Sequence, residues 1–316
     1  MVRFIILWSV FSVKNGMARL YGLRQDIARG ELAALRNIVR YVPIAVVLGV
    51  ARALCALGLC GRAFRLQNAV ATENFRCLTG ETSTINAVWI AVRRRLLEEA
   101  ATWGQNPTLQ RQLKRCTDQL DAVVAPLHQQ NIPVILAPLH SVSDVLAAIV
   151  GASVTPGNAS VVVSASAERY NQHARTLGGV QLDYCSIHQE NKTLASNLMS
   201  LIADVAAGKQ NMIIFPDISP DYTLQAEGAL EAKLPCRLFG RAAKLHHGVV
   251  RLSGVIRAQV IFYHLSYDRG LQIHIHPPVA ANAVADAMPG IIEQTLREYP
   301  QDWLLWHSHS LYFINH

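Results

Sequence analysis

From residue 133 onward, short β-rich runs take turns with helical periodicity, and this alternation restricts the fold more than any other feature of the chain. The runs are PVILAPL (133–139), ASVVVSAS (159–166), VQLDYCS (180–186), NMIIFPD (211–217), AQVIFYHLSY (258–267) and LQIHIHPP (271–278). Between them, apolar residues recur at helical spacing over 144–151, 191–207, 241–253 and 287–298, which predicts helices there. Strands joined through helices pair in parallel, because a parallel neighbour needs a crossover connection. The expected architecture is a mixed α/β fold, a largely parallel sheet flanked by helices.

Upstream the texture differs. Residues 82–130 are helical in pattern throughout. The chain therefore divides near residue 130 into a helical N-terminal region, 1–130, and an α/β domain, 131–316. Two apolar segments lie in the first part. FIILWSVFSV (4–13) is too short to span a bilayer, and Lys14 follows it with no small-residue cleavage site. Either Met1 or Met17 can serve as the start. YVPIAVVLGVARALCALGLC (41–60) is long enough but carries Arg52. An Arg at the bilayer centre costs about 2.5–3.5 kcal/mol on insertion scales. The segment reads as an in-plane helix that snorkels Arg52 to the head groups, against the alternative of a buried hairpin of two soluble helices.

Apolar residues make up 51% of the 316 and charged residues only 16%, while the net charge is +7. A greasy, basic chain suits acidic partners. No run of five Lys/Arg and no aromatic-plus-basic motif points to nucleic acid, so an anionic substrate or a membrane surface is the expected partner. The six cysteines are irregularly spaced with no C-x-x-C pair, and read as reduced thiols.

In open α/β sheets, ligands bind beyond the carboxyl ends of the strands. His140 stands where the run 133–139 ends, and Asp144 follows four residues later. A His oriented by a carboxylate is a competent general base for a hydroxyl. Ser141-Val142-Ser143-Asp144 is also a capping-box pattern, so Asp144 can cap a helix, orient His140, or do both. Asp217, after NMIIF, emerges at the same rim, where it could grip a polar substrate group or position a basic side chain; Pro216-Asp217 is equally ordinary turn chemistry. Arg241 and Lys244 fall near the start of the helix predicted over 241–253, where anions bind well. His246 and His247 are adjacent and cannot share a helix face. His274 and His276 can share a strand face but lack acidic or Cys ligands nearby, and read as structural rather than as a zinc pair. Trp303 and Trp306, three apart, read as core packing, with a membrane-proximal edge as the alternative.

Five segments in order carry a resemblance: GRAFRLQNAVATENFRCL, VILAPLHSVSD, GKQNMIIFPD, RLFGRAAKLHHGVVRLSGVIRAQVIFYHL and YPQDWLLWHSH. From about residue 36 onward the chain resembles the bacterial lipid A late acyltransferases, the lauroyl/myristoyl transferases of the lysophospholipid acyltransferase superfamily. The resemblance implies transfer of a fatty acyl chain from an acyl carrier protein or coenzyme A thioester to a lipid hydroxyl, at the cytoplasmic face of the inner membrane and with no cofactor or metal. It makes His140 the base of the family's H-x-x-x-x-D/E motif. Here the carboxylate comes one residue early, H-x-x-x-D, with Val145 in the family's slot. The resemblance further matches the family's Arg to Arg175, with Arg169 as rival, and its Pro-Asp acid to Asp217. An amine acceptor, a thioester hydrolase and a silent acyl- or carrier-binding homologue are the alternatives.

Overall fold

A computed structural model describes residues 30, 32–163, 182–186, 194–218 and 233–307. The core is a mixed α/β sheet, largely parallel and flanked by helices. Its central strand, β1 (Val134–Pro138), is buried along its whole length, which is why it reads as an unbroken apolar run. On one side β1 pairs in parallel with β4 (Asn211–Ile213), then β2 (Ala159–Val163) and β3 (Leu182–Ser186). On the other it pairs in parallel with β7 (Gln259–Tyr267), which carries β8 (Leu271–Ile275) and the short β9 (Val279–Ala280) antiparallel on its outer edge.

Strand alternation divides the core in two. Ile135, Ala137 and Leu139 join Val260 and Phe262 on one face, with Trp303 and Trp306. Val134 and Leu136 join Ile261, Tyr263 and Leu265 on the other. The first face is covered by α3 (Arg65–Thr79), α7 (Leu194–Ala206), α8 (Gly248–Ile256) and α9 (Val284–Glu298). The second is covered by α2 (Ile44–Ala56), α4 (Ala87–Ala101), α5 (Pro107–Gln129) and α6 (Asp144–Ala152). Residues 32–41 form a helix ahead of these, α1. Local chemistry starts several of them: the Asn86 side chain caps α4, and Asn106 with Pro107 at the first position starts α5.

Two expectations are corrected here. The segment 241–253 is not one helix: β6 (Arg241–His246) pairs antiparallel with β5 (Lys233–Leu238), and α8 starts only at Gly248. Phe239 and Gly240 both take left-handed backbone angles, φ 51° and 74°, the signature of a tight hairpin turn. Leu238, Ala243 and Leu245 then alternate into the core, and this burial overrides the helix preference of Ala242-Ala243-Lys244. Arg241 and Lys244 therefore sit on a hairpin, and the helix-terminus argument for anion binding does not apply to them. The cap of α6 is Ser143, whose side chain accepts from the Leu146 N–H; Ser141 instead donates to the Leu265 carbonyl.

The apolar segment 41–60 forms α2, which at 13 residues is about 20 Å long, short of the ~30 Å hydrocarbon layer. No helix among the described residues is long and apolar enough to cross a membrane. Ile44 and Leu48 face inward while Val46, Val50, Leu57 and Leu59 are exposed, and Arg52 lies over the Trp89 ring.

Candidate active site

Because β1 and β4 are parallel neighbours, the loops leaving their carboxyl ends emerge side by side. One brings His140 and the other Asp217. The His140 Nδ1 lies 2.8 Å from Asp217 Oδ1, and the His140 backbone N–H donates to Oδ2 at 2.8 Å. The Trp303 indole N–H donates to the same Oδ2, also at 2.8 Å. Asp217 is fully buried, so its charge is held by these donors rather than by water. A carboxylate only accepts, which fixes the proton on Nδ1 and leaves the lone pair on Nε2. Burial alone would lower the His140 pKa; the charge and hydrogen bond of Asp217, with a further push from Asp144 and against Arg94, raise it overall. The Phe215 ring flanks the imidazole at 4.5 Å between centroids.

The orienting carboxylate is thus Asp217, not Asp144. Asp144 is the first residue of α6 and forms an ion pair with Arg94 Nη2 at 2.6 Å. Four-residue spacing brings side chains together only along a helix, and His140 lies outside it, separated from Asp144 by Val142 at φ 61°. A left-handed β-branched residue is a strained one, here beside the dyad. The C-terminal segment holds it in place: Ser141 and Trp303 form a β-bridge, Val142 N–H donates to the Asp302 carbonyl, and Leu304 N–H donates to the His140 carbonyl. Asp302 in turn pairs with buried Arg93 at 2.7 Å.

A cleft of about 360 Å³ has apolar walls from Phe64, Ile90, Trp303 and Leu304 and polar ones from Arg94, Arg95 and Glu98; His140 and Asp217 lie behind Trp303 and Leu304, which bond them, and do not line it. The structure brings together His140 and Asp217; Asp144 lies at the start of α6, paired with the cleft-lining Arg94. Arg241 and Lys244 lie on the β5–β6 hairpin. Arg175 and Arg169 lie outside the described residues. Trp303, Arg93, Arg94 and Glu98 were not read from the sequence as site residues; the P-x-x-W spacing was the only signal for Trp303.

His264, His274 and His276 form a second imidazole cluster. His264 stacks on His274 at 4.7 Å and lies 6.2 Å from His276, with Tyr299 against the first two. Ser266 and Tyr299 bond the two nitrogens of His274. Among the described residues no group of three or more His, Cys, Asp or Glu is placed to hold a metal. Burial, then the neighbouring imidazoles, push the His264 pKa down to about 3. The unfolded chain therefore takes up a proton below about pH 6.5 that the folded chain refuses, so this residue lowers stability as pH falls, by about 2 kcal/mol at about pH 5. Thermal unfolding at neutral pH and at pH 5 should show a steeper acid loss in wild type than in His264→Gln; equal slopes would contradict this.

No protein-family model matches the chain, and no curated protein sequence matches it significantly.

Proposed function

We propose that this chain is an acyltransferase that moves a fatty acyl group from an acyl carrier protein or coenzyme A thioester to a hydroxyl of a lipid or lipid-like acceptor. The observation that supports it most is the buried Asp217 bound to His140 Nδ1, which leaves the Nε2 lone pair available to act as a base. Nε2 takes the proton of the acceptor hydroxyl as its oxygen attacks the thioester carbonyl. The tetrahedral oxyanion needs nearby donors, either backbone N–H groups or the Arg that the family resemblance matches to Arg175, which lies outside the described residues. As it collapses the C–S bond breaks, and the leaving thiolate takes the proton back from the imidazolium. A thioester is already activated, so this scheme has no covalent enzyme intermediate.

The N-terminal helices support work at a membrane surface, in this reading the cytoplasmic face of the inner membrane. Tyr41, Val46, Val50, Leu57, Leu59 and Leu66 are exposed apolar residues. Residues 32–72 contain five Arg (36, 40, 52, 62 and 65) and no Asp or Glu. Arg36 pairs with Glu99 from α4 at 3.1 Å, but apolar anchors in a segment this rich in Arg still fit an anionic lipid surface, and the general basicity fits an acidic carrier.

The test gives purified protein an acyl-carrier thioester with and without lipid acceptors. Acceptor-dependent thiol release, reduced about 10²- to 10⁴-fold in His140→Ala, is expected. Because the base must be unprotonated and its pKa is raised, the rate should climb with pH to a midpoint above the ordinary imidazole value of about 6.5. Acceptor-independent release would make the chain a hydrolase. No release, with His140→Ala indistinguishable from wild type, would make it a binding protein.

A further inference from the structure

One wall of the cleft is a polar chain that the transfer scheme leaves unused. Arg94 on α4 reaches two carboxylates at once: its Nε lies 2.8 Å from Glu98 Oε1 and its Nη2 lies 2.6 Å from Asp144 Oδ1. Ser143, the cap of α6, donates to the same Glu98 oxygen at 2.8 Å. Arg94 and Glu98 line the cleft with Leu304, whose N–H bonds the His140 carbonyl. This chain therefore ties α4 to the start of α6 immediately beyond the His140 loop.

We propose that Arg94 is a positioning residue of this site: it pins Asp144 and balances that carboxylate's charge beside His140, keeping the imidazole in its neutral, base-competent form. The word base rests on the acyl-transfer reading; the charge balance does not. Among the described residues, the charged groups that act on His140 are Asp217 from the loop after β4, Asp144 from α6 and Arg94 from α4, the last also paired with Glu98. The C-terminal segment also holds Asp302, already paired with Arg93. Asp144 and Arg94 act on the imidazole in opposite directions. Burial, and then Asp144, push the Glu98 carboxyl above its usual range, while Arg94 and the Ser143 hydroxyl pull it down. Without Arg94, His140 would face Asp217 and an uncompensated Asp144 together, and its imidazolium would persist at a pH where the base is required.

The experiment follows the His140 ring by NMR through a pH titration in wild type, Arg94→Met, Asp144→Asn, the double variant and Arg94→Lys. Arg94→Met should raise the titration midpoint by about 0.5 to 2 in pH, the order expected for losing one unit charge that acts on the imidazole through a partly buried medium. Asp144→Asn should lower it, the double variant should return near wild type, and Arg94→Lys should stay closer to wild type than Arg94→Met. An unmoved or lowered midpoint in Arg94→Met overturns the proposal. If that variant does not fold, the comparison passes to Asp144→Asn and the double variant. With Asp144 neutral, loss of Arg94 should then move the midpoint up; no movement overturns the proposal. The readout needs no turnover, so a chain that fails to transfer acyl groups sinks the functional reading alone.

Discussion

Asp217→Asn should lose about 10²- to 10⁴-fold in the proposed acyl transfer, by a mechanism that the His140 and Trp303 donors on Asp217 dictate. A carboxylate offers two acceptor atoms; an amide offers one acceptor and one donor. If the Asn oxygen takes the Oδ2 position, its NH₂ faces His140 Nδ1 and holds the proton on Nε2, so the base is blocked. If the oxygen instead meets Nδ1–H, the NH₂ confronts the His140 N–H and the Trp303 indole, two buried donors left without an acceptor. Each orphaned group costs about 1–3 kcal/mol, so the first arrangement, with the wrong tautomer, is favoured. Steady-state rates measured well above the imidazole pKa, alongside circular dichroism to establish folding, decide the matter. Activity within about threefold of wild type would show that Asp217 does not set the tautomer, since the expected loss is at least about 10²-fold.

Arg93→Met should destabilise the fold by about 3–5 kcal/mol, the usual consequence of breaking one side of a buried ion pair. Both partners are nearly inaccessible, at 5% and 11% side-chain exposure. Burial lowers the Arg93 pKa and raises that of Asp302, and in each case the partner's charge opposes the shift. Removing Arg93 leaves Asp302 as a lone buried charge and deletes the bond from Arg93 to the Gln301 carbonyl. The same segment supplies the Asp302 carbonyl to Val142 and the Leu304 N–H to His140, so the loss should reach the site as well. Urea midpoints for Arg93→Met and for Arg93→Met with Asp302→Leu separate the two contributions. The double variant should recover much of the stability, because no charge is then stranded. A single variant as stable as wild type would mean that this ion pair holds nothing in place.

Individual residues of this arrangement were legible in the sequence; their pairing was not. His140 and Asp217 each follow an apolar run, and that placement alone marked both as rim residues of a sheet. What joins them is the adjacency of β1 and β4, strands separated in the chain by β2 and β3, and no local spacing reports that. Local spacing instead favoured Asp144, whose distance from His140 is meaningful only on a helix that starts at Asp144 itself. Trp303 was readable as a core residue but not as a donor, because its acceptor lies 86 residues earlier. In the fold, β1 and β7 were plain from their buried β-branched runs between turns. The β5–β6 hairpin was hidden because Ala-Ala-Lys-Leu suits either structure in isolation, and only its partner strand and the core beneath it decide.

The β-bridge between Ser141 and Trp303 also dictates timing during synthesis. The strands that frame His140 and Asp217 are all translated by about residue 267, yet the Trp303 donor to the carboxylate and the backbone that steadies Val142 arrive only with residues 302–304. A chain lacking residues 302–304 would have the residues of these strands but not the bonds that fasten Val142 and His140, so the proposed base could be held in place only once this segment closes the long loop back to it.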